Sequence, residues 1–173
     1  MDENTFWALI EKTHQQSGRW NLELQCELLV EELLQYTAEE IISFDMISRE
    51  MRRKSYSAYL WHAAALIGEG CSDDGFEDFR DWLIGQGCVV FEKILNDPDS
   101  LVELIEPERR YELCSDFKGS VLYAPLEAYE RKMGHQMPPS PFSPELIGEF
   151  RKDLDTKEDW HRLFPRLAAI FSP

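Results

Sequence analysis

Apolar residues in this chain recur at three- and four-residue steps, and no stretch of five or more alternates polar with apolar in a β-branched context. That pattern argues against sheet architectures and predicts helices whose apolar stripes face one another. The first stripe is Phe6, Trp7, Leu9 and Ile10, and Gly18 interrupts it. The second is Leu22, Cys26, Leu29, Leu33 and Leu34, with Asn21 placed to cap it. The third carries Ile41, Ile42, Phe44, Met46 and Ile47, and Thr37 followed by Glu40 forms a capping box at its start. Three such stripes in succession predict antiparallel helical packing.

The segment Ser57–Ile67 (SAYLWHAAALI) is almost wholly apolar and predicts a central helix buried on most sides, ended by Gly68 and Gly70. After it, Ser72 or Asp73 caps a helix carrying Phe76, Phe79, Trp82, Leu83 and Ile84, which Gly85 and Gly87 stop. A helix over Cys88–Asn96 follows, and Asp97-Pro98-Asp99-Ser100 reads as a turn and cap for Leu101–Ile105. Pro107–Phe117 is short and charged. Ser120–Met133 reads as a helix closed by Gly134, with Pro125 tolerable near its first turn. Gln136–Pro144 is too proline-rich for regular structure. Pro144 opens a helical stretch over 145–153, and Thr156 with Asp159 caps a last segment that Pro165 bends.

With 173 residues, 43% of them hydrophobic, the chain fits one domain and needs no disulfide or metal staple. The expected fold is all-α, a single-domain irregular bundle of about seven to nine helices over residues 1–173. Residues 136–144 form its loop, and residues 145–173 form a C-terminal helical extension packing back on the bundle. The opening MDENTFWALIEK lacks the basic and apolar start of a secretion signal, and no run is long and apolar enough to span a bilayer. Cys26, Cys71, Cys88 and Cys114 form no C-x-x-C pair and no zinc spacing with histidine. The expectation is a cytoplasmic protein with reduced thiols.

The net charge is −15. On a chain of ordinary apolar content that charge belongs to a folded surface, where it repels nucleic acid and anionic lipid and attracts basic partners. The one dense basic patch, Arg49, Arg52, Arg53 and Lys54, falls where a helix C-terminus favours cations, and only secondarily suggests an anion site.

Chemistry-bearing residues concentrate in one stretch. Asp73 and Asp74 precede Gly75 at a helix start, and Glu77, Asp78, Arg80 and Asp81 follow within two turns. Crowded carboxylates raise one another's pKa and could serve acid–base or metal chemistry, but the alternating calcium-loop pattern is not met. Acids at a helix start are also what capping and the dipole favour, so the open readings are fold architecture, a partner or ligand surface, and catalysis, in that order. Arg80 lies amid acids that can pair with it, or it binds an anion. His62 sits on the apolar helix beside Trp61, as a core residue or a base. Cys71 precedes a helix start, but its acidic neighbours oppose thiolate formation. No catalytic motif, metal site or cofactor signature is recognised, so no catalytic residue, metal or cofactor is assigned. Trp20, in a loop, is the tryptophan most expected to be exposed.

The opening DENTFWALIE, the central GCSDDGFEDFRDWLIGQG and the later DPDSL together resemble a bacterial family of unknown function. Its members open D-x-x-x-F-W-x-L-I and carry G-C-S-D-D-G-F-x-x-F-R-x-W-L-I-x-Q-G. The matching residues are Asp2–Ile10, Gly70–Gly87 and Asp97–Leu101, and the resemblance covers roughly the first 130 residues. It implies a small bacterial helical protein and brings no established activity. Members often carry an acid where this chain has Tyr59.

The leading functional expectation is a bacterial protein acting as an acidic protein-binding module, immunity- or antitoxin-like, that masks a basic partner. Enzymatic activity is not expected, and neither is a nucleic-acid or membrane partner. Its surface would be built from Asp73, Asp74, Glu77, Asp78 and Asp81. The alternative is an enzyme or small-ligand binder with a pocket between helix 57–67 and loop 68–82, lined by His62, Asp73, Asp74 and Arg80.

Overall fold

The computed structural model describes residues 1–112, 121–139 and 156–171. Among them lie nine α-helices, two 3-10 helices and no strand, so the all-α expectation holds. In order these are α1 (Glu3–Ser17), α2 (Leu22–Leu33), α3 (Ala38–Lys54), α4 (Ala58–Gly68), α5 (Asp73–Gly85) and α6 (Cys88–Asn96). The 3-10 helices Pro98–Glu103 and Pro107–Glu112 follow, then α7 (Tyr123–Met133), α8 (Lys157–Leu163) and α9 (Pro165–Phe171). Contacts group these elements into two compact units. One holds α1, α2, α3, α7 and the end of α5 from Asp81; the other holds α4, α5 up to Arg80, α6 from Val89, both 3-10 helices, α8 and α9.

Side chains three residues away start the early helices. Asp2 accepts from Thr5 N–H at 2.8 Å and Asn21 from Leu24 N–H at 3.1 Å. At α3 the capping box is reciprocal: Thr37 Oγ1 accepts from Glu40 N–H at 3.2 Å, and Glu40 Oε2 accepts from Thr37 N–H at 2.9 Å. Each pair satisfies backbone donors that a helix start leaves open. In this first unit α2 packs on α1 and α7, and α3 packs on α7 and α1. Phe6 and Phe44 are both buried, their ring centroids 4.6 Å apart. Burial of aromatic and aliphatic side chains, at about 1.5–3 kcal/mol each, is the main force holding the stripes together. Buried Gln25 of α2 ties two chain segments by donating Nε2 to Gly85 C=O at 2.9 Å and to Ile10 C=O at 3.4 Å. A Cβ on Gly85 would stand 3.0 Å from Gln25 Oε1, so the glycine leaves room for that tie. Trp20 is not the exposed tryptophan expected: it is half-buried and stacks on Trp82, with centroids 5.6 Å apart.

In the second unit α4 is buried from Leu60 to Ile67 and packs on α9 and both 3-10 helices. Its end falls between Gly68 and Gly70, as expected, but the left-handed residue is neither of them. Gly68 is the last helical residue, and the left-handed turn falls on Glu69 at φ 56°, ψ 35°. A side chain there costs about 1 kcal/mol relative to glycine. The Tyr111 hydroxyl donates to Glu69 Oε1 at 3.3 Å, an exposed bond that offsets little of that cost. Glu69→Gly is therefore expected to raise the unfolding free energy by about 0.5 kcal/mol, and Glu69→Val to lower it, because β-branched side chains resist positive φ. Urea titration of the two variants beside the parent chain checks both signs.

Two later elements also differ in form. The Asp97–Ser100 turn does not introduce a separate helix; Pro98–Glu103 is itself 3-10, with Ser100 N–H bonding Asp97 C=O at 3.0 Å. The last segment is two helices rather than one bent one. Phe164 leaves the helical region at φ −133°, ψ 62°, because the residue before proline is pushed out of it, and Pro165 then opens α9. Helix α7 begins at Tyr123, which puts Pro125 in its first turn, and Gly134 closes it at φ 74°. Gln136–Pro139 has no regular structure; the rest of the proline-rich loop and the helix expected over 145–153 lie outside the described residues. The Thr156 cap of the last segment forms at the start of α8.

Candidate functional site

The central motif Gly70–Gly87 becomes a loop and α5. Ser72, not Asp73, is the cap: its Oγ accepts from Gly75 N–H at 3.1 Å. Cys71 C=O accepts the Trp61 indole N–H at 2.9 Å, which anchors the loop to α4. Asp73, Asp74 and Glu77 are exposed and Asp78 is half-buried, whereas every residue from Phe79 to Gly87 is buried. Acids in the first turn complement the partial positive charge of the helix N-terminus.

This course separates the predicted site residues. Asp73 and Asp74 form no hydrogen bond or ion pair among the described residues. Asp81, 3% exposed, receives two parallel bonds from Arg52 of α3: Nε to Oδ1 and Nη2 to Oδ2, each at 3.0 Å. Both of its oxygens are thus engaged inside the first unit. Arg80 is 1% exposed. Its Nε donates to Phe76 C=O at 3.4 Å, and its guanidinium carbon stands 4.9 Å from the Tyr56 ring centre and 5.0 Å from that of Phe76. Each ring face attracts the cation. Trp61 stacks on Phe76 with centroids 4.8 Å apart and planes 7° off parallel, completing an aromatic layer around this arginine. His62 is fully buried on α4. The residues named for a pocket therefore divide into two buried cationic or titratable groups, Arg80 and His62, and two exposed acids that bond to neither.

The basic patch also resolves into pairs. Arg49 Nε donates to Asp45 at 2.7 Å, Arg53 to both oxygens of Glu50 at 2.8 and 2.6 Å, and Lys54 Nζ lies 4.0 Å from Glu3. The Arg53 bonds hold the Glu50 carboxyl below its usual range. With Arg52 on Asp81, each member of the patch meets an acid of its own unit, which leaves little positive field for a phosphate.

Among the described residues no three histidine, cysteine, aspartate or glutamate side chains are grouped to hold a metal ion. No helix among them is long and apolar enough to cross a membrane. Cys26, Cys71 and Cys88 form no disulfide among the described residues, Cys26 being buried and the other two half-exposed; Cys114 lies outside the described residues. Burial, aided by the negative charges of Glu127 and Glu27, pushes the Cys26 thiol up to about 11. At pH 8 only about a thousandth of it is thiolate, the reactive form. Iodoacetamide labelling at pH 8, mapped by peptide mass spectrometry, is therefore expected to modify Cys71 and Cys88 before Cys26. Equal labelling of Cys26 in the native chain would contradict this burial.

What sequence reasoning misses here is the pairing. Arg52 reads as one of a basic run and Asp81 as one of an acidic run, yet they belong to each other. For Arg80 a signal exists: it stands four residues after Phe76 and three before Leu83, on the stripe that α5 buries.

A family model described as "Protein of unknown function (DUF4240)" matches residues 1–131. The chain belongs to this family. The match takes in α1 to α6, both 3-10 helices and nearly all of α7, and it includes the three stretches that carry the resemblance; α8 and α9 lie outside it. No curated protein and no solved structure matches the chain.

Proposed function

We propose that this DUF4240 protein is an acidic protein-binding module that receives a basic partner at the start of α5, in the manner of an immunity or antitoxin protein that masks a cationic surface. One observation carries the proposal. Nearly every residue of the central motif has a task inside the fold, whereas Asp73 and Asp74 are exposed and bond to nothing among the described residues. The cap is Ser72, the core is Phe76, Phe79, Trp82, Leu83 and Ile84, and Asp81 answers Arg52. The dipole alone accounts for about 0.3–1 kcal/mol per exposed acid at a helix start, a modest role for two adjacent carboxylates.

The charge distribution supports the same reading. Among the described residues many cations are spent within the fold: beyond those of α3, Lys12 meets Glu32 at 2.7 Å, Arg131 meets Glu31 at 3.1 Å, and Arg166 meets Glu103 at 2.6 Å. The net −15 is therefore expressed outward, where it steers a basic protein to the surface and makes encounter sensitive to salt. Glu77, exposed one turn on, extends the acidic surface, and half-buried Asp78 flanks it. The compartment proposed is the cytoplasm.

Affinity capture from a lysate of the source organism tests this. The parent chain and an Asp73→Asn/Asp74→Asn variant are compared at low and high salt, with retained proteins identified by mass spectrometry. A basic protein held by the parent chain, at least tenfold depleted on the variant and released by salt, is the expected outcome. Both changes are at exposed positions, so folding stability should move by no more than about 2 kcal/mol, the sum of the two dipole contributions. If parent and variant retain the same proteins in the same amounts, the acidic face is not the binding surface.

A further inference from the structure

We draw no further inference here: the strongest candidate, the exposed side chains Tyr59 of α4, Tyr111 of the second 3-10 helix and Ile170 of α9 on elements that pack together in the second unit, is an apolar surface for which nothing in the structure shows what covers it.

Discussion

Arg52→Met is expected to lower the unfolding free energy by about 3 kcal/mol, the lower end of the range for breaking a buried ion pair. The mechanism is the charge left behind. Asp81 has a side chain only 5% exposed, and both of its oxygens accept from the Arg52 guanidinium at 3.0 Å. Without the arginine a carboxylate remains in a poorly solvated place, which costs more than the pair itself contributes. The arginine is 23% exposed, so water can reach the site and soften the penalty, which is why the expected value sits at the low end. Asp81→Leu combined with Arg52→Met removes both charges and should recover most of the loss, since buried pairs replaced by apolar residues are often neutral. Urea denaturation of the two single variants and the double variant closes the cycle. A single Arg52→Met change costing less than 1 kcal/mol would mean that the pair is solvated and its geometry incidental.

The same pair marks the limit of what the sequence reveals. Signals that act over three or four residues are plain in it. The Asn21 cap, the Thr37–Glu40 box and the Thr156–Asp159 cap each involve residues three apart, and each forms. The apolar stripes are equally local, and they place Phe6, Ile10, Leu29, Leu33 and Phe44 in the core. Long-range choices leave no such trace. Arg52 and Asp81 are 29 positions apart, and Gln25 and Gly85 are 60 apart. Any of several acids could have answered Arg52 on charge alone; helix rotation and packing decide which one does.

For the candidate site, composition gives the location and the fold gives the sorting. The cluster from Asp73 to Asp81 is evident as a run of acids, but a run has no direction until its helix is placed. Asp73 and Asp74, in the first turn of α5, are exposed, while Asp81 is buried and must find a cation. Arg80 shows the converse. Flanked by acids, it reads as their partner or as an anion site; its register with Phe76 and Leu83 also buries it in an aromatic layer, where Tyr56 supplies a ring face from before α4. The end of α4 falls where the glycines place it, but the left-handed residue itself is not legible. A left-handed position favours glycine but does not require it, so a glycine on either side of Glu69 gives the neighbourhood of the turn and not its residue.

Asp99→Ala is expected to destabilise the chain by about 2–4 kcal/mol, through a helix 66 or more residues away in sequence. Helix α9 begins Pro165-Arg166-Leu167, and the residue before it, Phe164, has no side-chain acceptor to cap it. Proline has no N–H, and Ala168 N–H already bonds Phe164 C=O at 2.8 Å. The donors left open are those of Arg166 and Leu167. Asp99, 7% exposed in the 3-10 helix Pro98–Glu103, takes both: Oδ2 accepts from Arg166 at 3.1 Å and Oδ1 from Leu167 at 2.9 Å. Removing the carboxylate leaves two backbone donors short of water and exposes the start of α9, whose Leu167, Ala168 and Phe171 are buried. Asp99→Asn retains one good acceptor and should cost less than alanine. Hydrogen exchange locates the effect: the Arg166 and Leu167 amides should lose protection first, while α2 retains its own. This arrangement also explains how a segment outside the family match is held, because Asp99 belongs to the DPDSL stretch inside the match and Arg166 adds an ion pair to Glu103 at 2.6 Å. If Asp99→Ala leaves both stability and those two amides unchanged, α9 is fixed by its apolar face alone and the carboxylate contributes nothing that its packing does not already supply.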